Sequence, residues 1–347
     1  MTITLPKIGL LNPGPYNKIT DVPGVRVGHV TLNEGEIQTG VTAIIPGLGN
    51  AFLNKFPAAT HVINGFGKSV GLVQIDELGS LESPIILSNT FAVGTCLNAA
   101  IRYNLNQNSC IADTTGTINQ VVLECNDQKL NNIRSMPIQE KHVLQALEET
   151  HYDFPEGAVG AGRGMKCHDL KGGIGSASRQ IQVNGENYIL GALCLTNHGK
   201  YEDLVINHQP IGQEIPRPHD PSKDQGSVIT LLATDLPLSS RQLKRLAKRA
   251  IVGLSQSGSL ITNGSGEIVL AYSTANRIPH ESGQSLHQIT VFADDQLDQV
   301  FRAVKESVEE AVIHSLLYAE SVTGYRNYHL TSLSEILPMD YFSTTKP

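Results

Sequence analysis

The chain has 347 residues, of which 40% are hydrophobic and 17% charged, an ordinary composition for a soluble globular protein with enough chain to bury a core. The net charge of −7 argues against nucleic acid as the main partner. No apolar run reaches membrane-spanning length, and the N-terminus lacks the pattern of a signal peptide, so we expect no membrane partner.

The spacing of the cysteines and histidines argues against a disulfide scaffold and against a metal site. The five cysteines form no CxxC pair, and their odd number leaves one unpaired in any disulfide scheme, so free thiols in a reducing cytoplasm are expected. The twelve histidines show no HExxH or comparable spacing. The sequence therefore predicts no metal site and no cofactor.

Strand-like runs recur along the chain, and several are apolar nearly throughout, as expected of strands covered on both faces. Periodicity alone does not separate such runs from buried helices. The 32 glycines cluster between them, which indicates tight turns and close backbone approaches. In chain order the predicted strands span 24–32, 41–47, 61–67, 83–90, 117–127, 187–197, 227–235, 267–274 and 287–295.

Helices are predicted between these runs. One spans 138–149, a second follows Ser239 or Ser240, and a third covers 296–321 with Asp295 as its N-cap. The second helix has an apolar inner face made of Leu243, Leu246, Ala247, Ala250, Ile251 and Leu254. Because strands and helices alternate irregularly, the pattern favours layered α/β packing over a doubly wound sheet.

A polar, proline-rich segment at 208–226 is the best linker, and it ends at the pair Gly226-Ser227, where a core strand begins. Cutting that bond gives Ser227 a free α-amine, whose pKa of about 7.7–8 lies far below the ~10.4 of lysine. An N-terminal serine can therefore act as nucleophile and base together. Most Gly-Ser pairs are merely turns, but the polar, proline-rich loop before this pair and the apolar strand predicted after it favour a functional role.

Ser265 and Glu267 stand at a turn that enters a second apolar strand. A hydroxyl and a carboxylate at i and i+2 are able to face one site. There they would orient Ser227 and stabilise its ammonium once the amine has taken up a proton.

A set of motifs in fixed order runs through nearly the whole chain, including PAATHVINGFGK, EGAVGAGRGM, KGGIGSASR, GSVITLLATDLPL and NGSGEIVLAYSTANRIPH. In these motifs the chain resembles the L-aminopeptidase/D-esterase family, which contains the β-peptidyl aminopeptidases. The resemblance implies an αββα sandwich of the N-terminal-nucleophile-hydrolase type. It also implies that one globular domain, 1–347, cleaves itself between Gly226 and Ser227 into chains 1–226 and 227–347, which assemble as tetramers.

Residue by residue, the resemblance makes Ser227 the nucleophile, with Ser265 and Glu267 as its supporting serine and carboxylate. Asn197, in CLTNHG, matches an asparagine whose amide donates to the oxyanion. Glu124, in VVLECND, corresponds to a contact for the free amine of the substrate, although a buried structural acid would give the same pattern.

One position departs from the family pattern. Lys129 stands where relatives carry an aromatic residue whose hydroxyl helps bind the oxyanion. Lys129 either supplies a cationic donor instead or points to solvent, and this leaves the range of substrates open.

The sequence thus predicts a self-processing serine aminopeptidase or amidase that acts on short peptides, amides or esters with a free amine. Two alternatives stay open at this stage. One is an acyl transferase of a related self-cleaving fold, which would need an amino-acid acceptor. The other is a non-catalytic protein that holds a small metabolite in its glycine-rich loops.

Overall fold

The computed structural model describes residues 7–218, 226–338 and 341–344. The predicted linker 208–226 therefore lies partly outside the described residues, since 219–225 are not among them; its earlier part contains one short helix. Among the described residues, no helix combines the length and apolarity that crossing a bilayer requires.

The strands are β1 Arg26–Leu32, β2 Thr39–Ile45, β3 Asn54–Gly65, β4 Ser80–Leu81, β5 Ile85–Asn89, β6 Val121–Cys125, β7 Lys166–Cys167, β8 Leu170–Lys171, β9 Ile174–Val183, β10 Glu186–Asn197, β11 Ser227–Thr234, β12 Gly266–Ser273, β13 Ile278–Pro279, β14 Val322–Thr323 and β15 His329–Leu330. The helices are α1 Leu72–Leu78, α2 Val93–Gln107, α3 Glu140–Glu148, α4 Ile211–Glu214, α5 Ser240–Ala247, α6 Ala250–Gln256, α7 Asp298–Leu317, α8 Leu333–Ile336 and α9 Tyr341–Thr344.

Two sheets pack face to face. The smaller sheet has the order β1-β2-β5-β6, and the larger has the order β13-β3-β12-β11-β10-β9. An apolar cluster between them takes residues such as Ile85 and Leu123 from the smaller sheet, and Leu193, Ile229 and Leu270 from the larger one. We call this space the inter-sheet layer.

Helices cover the outer face of each sheet. Against the smaller sheet, α2 and α3 contribute Ala99 and Val143 to a cluster that includes Val122. Against the larger sheet, α5, α6 and α7 form a cluster with Val228 and Val269, whose side chains alternate with those of the inter-sheet layer. The predicted αββα sandwich is therefore confirmed.

Two helices show which sequence signals predicted the structure correctly. Ser239 caps α5, because its Oγ accepts the backbone N–H of Gln242 at 3.4 Å. The predicted inner face then packs on the larger sheet except for Ile251, which is only partly buried and lies outside that cluster; the helix also breaks after Ala247 and resumes as α6. The predicted helix 138–149 is observed as α3.

Two details of the prediction near the last long helix were wrong. Residues 287–295 form no strand: the segment is largely exposed, and no described strand pairs with it. Asp295 is not an N-cap, because it lies inside a 3₁₀ turn, Asp294–Gln296, that precedes α7. Arg241 and Gln242 donate to the carboxylate of Asp294, which ties this turn to α5.

Candidate active site

The ends of three neighbouring strands of the larger sheet meet at the predicted junction. Asn197, the last residue of β10, pairs with Ser227, the first residue of β11, in an antiparallel register. Ser227 in turn pairs with Gly266, the first residue of β12, in a parallel register. Because directly paired residues of neighbouring strands point to the same face, Asn197 and Ser227 direct their side chains to one side of the sheet.

Ser227 is buried at this point, with 7% of its surface exposed. Its Oγ accepts the backbone N–H of Gly266 at 3.2 Å. A hydrogen bond of this kind favours the negatively charged form of an oxygen over the neutral form. The amide of Gly266 therefore holds the hydroxyl in one orientation and assists the loss of its proton.

Gly226 is packed so closely that no other residue fits. A Cβ atom at this position would lie 1.4 Å from the carbonyl oxygen of Asn197 and 3.0 Å from the Cα of His198. The backbone of the junction thus lies directly against the end of β10, and the glycine is required by this close approach.

Asn197 is held at both ends of its amide. Its Oδ1 accepts the backbone N–H of Lys166 at 2.9 Å, and its Nδ2 donates to the carbonyl of Asn126, also at 2.9 Å. A side-chain amide carries two N–H donors, and the bond to Asn126 uses one of them. Asn197 therefore has a fixed orientation and a second donor that is available to a ligand beside Ser227.

Ser265 and Glu267 are bonded to each other, as the Ser265 hydroxyl donates to the Glu267 carboxylate. Glu267 pairs with Val228 rather than with Ser227, and Gly266 between them faces the Ser227 Oγ. The alternation of β12 therefore turns this pair away from the Ser227 hydroxyl, toward the other face of the sheet.

Burial raises the pKa of the Glu267 carboxyl to about 7. Its Oε2 makes no hydrogen bond with any described residue, while its backbone position is immediately beside the start of β11. A carboxyl with such a pKa exchanges its proton close to neutral pH.

Asn64 was not singled out by the sequence. Its Nδ2 donates to the carbonyls of Thr262 and Ser265, and so fixes the turn that leads into β12. Asn64 belongs to the run NGFGK at the end of β3. The glycines of this run predicted a tight turn, but they gave no indication that the side-chain amide of Asn64 fixes it.

The same run also binds the side chain of Glu124. The backbone N–H of Lys68 donates to Glu124 Oε1 at 2.8 Å, and the Thr90 hydroxyl donates to Oε2. A Cβ atom at Gly67 would lie 3.5 Å both from Glu124 Oε1 and from the side chain of Ile268 in β12, so Gly67 lies between the carboxylate and the start of β12. Glu124 is therefore a buried carboxyl group whose two oxygens are both bound, close to the segment that leads from β3 past the start of β12.

Lys129 is half-buried and lines a cavity of about 360 Å³. The described residues around that cavity include Tyr325, Arg326 and Tyr328 rather than Ser227.

Comparison with known proteins supports the same kind of site as the geometry. The profile of Peptidase family S58 matches residues 17–330. The β-peptidyl aminopeptidase BapA of Sphingosinicella microcystinivorans is 33% identical, over 92% of this chain and 86% of the relative.

Two solved structures are similar over almost the whole length. A protein of Pyrococcus horikoshii OT3 superposes with a TM-score of 0.91 at 46% identity, covering 97% of this chain and 95% of the other. The L-aminopeptidase D-Ala-esterase/amidase of Ochrobactrum anthropi, described as a prototype of the serine aminopeptidases with a variant Ntn-hydrolase fold, gives 0.89 at 34% identity, covering 97% and 95%. The chain therefore belongs to peptidase family S58.

Proposed function

We propose that this chain is a self-processing aminopeptidase whose nucleophile is Ser227. Membership of the family makes the chain a hydrolase of the aminopeptidase type. The observation that carries the assignment of the nucleophile is the junction itself: Gly226 is packed on Asn197, and the buried Ser227 hydroxyl is held by Gly266.

In the maturation step, the Ser227 oxygen attacks the carbonyl carbon of Gly226 and the C–N bond between the two residues breaks. The product is an ester on Ser227, and the former amide nitrogen becomes a free α-amine. Water then hydrolyses the ester, so that chain 1–226 leaves with a new carboxylate and the Ser227 hydroxyl is restored.

In turnover, the freed amine accepts the proton of its own hydroxyl while the oxygen attacks the carbonyl of the substrate. The second N–H of Asn197 stabilises the oxyanion that forms. The amine returns its proton to the leaving group, and water hydrolyses the acyl-enzyme.

Ser265 and Glu267 support the amine in this proposal rather than the hydroxyl. An amine at the end of a strand lies in the plane of the sheet and is accessible from both faces. Glu267, whose side chain points toward the helical layer, is therefore able to contact it. With a pKa near 7, the carboxyl ionises in the range where the amine becomes protonated, and the two charges then attract.

N-terminal sequencing of the purified wild-type protein tests the proposal. We expect a second N-terminus that reads Ser-Val-Ile-Thr, in amounts equal to the first. Active material with only one N-terminus would contradict self-processing at Gly226-Ser227.

The proposed substrate is a short peptide, amide or ester with a free amine, which pairs with the Glu124 carboxylate. Glu124→Gln keeps the shape and an acceptor for the Lys68 N–H but removes the charge. Since a hydrogen bond to a charged group is worth about 1.5–3 kcal/mol, we expect kcat/KM for free-amine substrates to fall by roughly 10- to 100-fold. The measurement compares p-nitroanilides of free and N-acetylated amino acids.

Glu82→Gln is the matched control, because Glu82 is a buried carboxylate that also accepts a backbone N–H, from Asn119 at 2.7 Å. Equal losses for free and acetylated substrates, or equal losses in both variants, would remove Glu124 from the proposed substrate site.

We further propose that the cleaved units assemble as homo-oligomers, expected to be tetramers, in the cytoplasm. The exposed segment 280–293 supports the assembly, because Leu286, Ile289 and Val291 are 86%, 59% and 46% exposed and form an apolar stretch. The five free cysteines support the reducing location.

A further inference from the structure

A cluster of cysteine and histidine side chains lies beside the junction, on the other face of the larger sheet. The Cys167 Sγ and one ring nitrogen each of His168 and His198 lie within 4.8 Å of one another, and all three residues are buried. Cys167 ends β7, and His198 follows directly on Asn197 at the end of β10.

The backbone brings these two segments together. The N–H of His168 donates to the carbonyl of His198 at 2.7 Å. His168 and Asp169 form the two-residue turn between β7 and β8, both with positive φ, and Lys166 and Asp169 pair across it at 2.9 Å. The position of the His168 ring is therefore fixed by a short, tightly bonded hairpin.

The hydrogen bonds of the rings leave lone pairs directed into the cluster. The His168 Nδ1 lies 3.0 Å from the carbonyl oxygen of Lys200, so Nδ1 carries the proton and Nε2 keeps a lone pair. That Nε2, and both ring nitrogens of His198, have no hydrogen-bond partner among the described residues. A buried polar atom without a partner is unfavourable and rare in folded proteins, so three such atoms in one place call for a ligand.

The packing of the two rings does not remove this need. Their centroids are 5.5 Å apart in an edge-to-face arrangement, which accounts for the ring faces. The nitrogens are at the ring edges, and the nearby thiol is a poor hydrogen-bond donor.

We propose that Cys167, His168 and His198 bind a Zn²⁺ ion. A thiolate and two imidazoles suit zinc, which takes such ligands at about 2.0–2.3 Å; they fill three of its four tetrahedral positions, and a water molecule takes the fourth. Tetrahedral ligands at those distances are roughly 3.3–3.6 Å apart. Side-chain rotations that move the ligand atoms by about 1 Å therefore close the cluster around the ion. The bond of His168 Nδ1 to a backbone carbonyl is the outer contact that zinc-binding histidines make.

On binding, the Cys167 thiol releases its proton to solvent as the sulfur–zinc bond forms, and the histidines bind through lone pairs. The ion touches no reacting atom. It links the β7–β8 hairpin to the segment that carries Asn197 and against which Gly226 packs, and so stabilises the framework of the junction.

The expectation that the chain holds no metal rested on short spacings in the sequence. His198 comes from a segment far from Cys167 and His168 in the chain, so a search for local motifs does not find the cluster. Only the register of β10 against β9 and the β7–β8 hairpin brings the three residues together.

The test uses the full-length protein, purified from zinc-supplemented medium and freed of loose metal by gel filtration. We expect mass spectrometry of the metal to give about one zinc per chain, and a chelator to lower the melting temperature of the wild type. After exchange to Co²⁺, we expect the charge-transfer absorption of a cobalt–thiolate bond.

Cys167→Ser and His198→Gln should each lose the metal and the effect of the chelator, while Cys96→Ser, at a buried thiol in the other helical layer, should keep both. If the variants do not fold, the wild type decides alone. A wild type without zinc, without a chelator effect and without the cobalt–thiolate band would overturn the proposal, as would a folded Cys167→Ser variant that still shows that band.

Discussion

Ser227→Ala is expected to leave the protein as one chain of 37.5 kDa and to abolish turnover. The wild type should instead run as two chains of about 24 and 13 kDa, in proportion to their lengths, since in the proposed mechanism the hydroxyl of Ser227 attacks the Gly226 carbonyl. Without nucleophile and amine, we expect kcat/KM to fall on the order of 10⁴-fold or more. Denaturing electrophoresis and the hydrolysis of an amino-acid p-nitroanilide measure the two effects.

A folded but inert variant has to be distinguished from a damaged one. Alanine fits wherever serine fits, and the Gly266 N–H loses only one acceptor, so circular dichroism should be unchanged. Ser227→Thr is the matched control, because it restores a hydroxyl at the same atom, and N-terminal threonine performs this chemistry in other hydrolases. We expect Ser227→Thr to cleave slowly, whereas cleavage in Ser227→Ala would remove the hydroxyl from the mechanism.

The fold was predictable where burial is reflected in residue type. All eight residues of β11 are buried, between the inter-sheet layer and the helical layer, and the run SVITLLAT is correspondingly apolar. Helix α2 was missed because its buried positions are small or polar, with Cys96, Ala99, Ala100 and Asn104 inward. Strand β9 was missed for a similar reason, since it buries two serines and an arginine.

Arg179 shows why such a strand has no sequence signal. Its guanidinium is 1% exposed and lies 3.1 Å and 2.6 Å from the carboxylates of Glu306 and Glu310 on α7. A charged residue is tolerated in the core because its partners come from a helix far along the chain. No local pattern carries that information.

For the candidate site, the sequence supplied candidate residues but not their arrangement. The motifs gave Ser227, Asn197 and Glu124, while the pairing of Asn197 with Ser227 depends on the register of β10 and β11. The same register turns Glu267 toward the other face, which the i, i+2 spacing could not reveal because it fixes only that Ser265 and Glu267 share a face.

The role of Asn197 gives the second large effect. In Asn197→Ala, the proposed donor to the developing oxyanion is lost, and removal of one such donor typically lowers kcat by about 10²- to 10³-fold. Because the same amide serves the transition state more than the ground state, KM should change little. Turnover is to be normalised to the amount of free N-terminal Ser227, so that slower self-cleavage does not enter the value of kcat.

The substitution also removes the acceptor of the Lys166 N–H and the donor to the Asn126 carbonyl, so some loss of thermal stability is expected. Thr196→Val is the matched control for that loss. Thr196 is the neighbouring buried residue of β10, but its hydroxyl bonds Gly173 and Ser315 away from Ser227. Thr196→Val should therefore lose stability yet keep kcat within a few-fold. Equal losses of kcat in the two variants would mean that Asn197 acts on the end of the strand and not on the oxyanion.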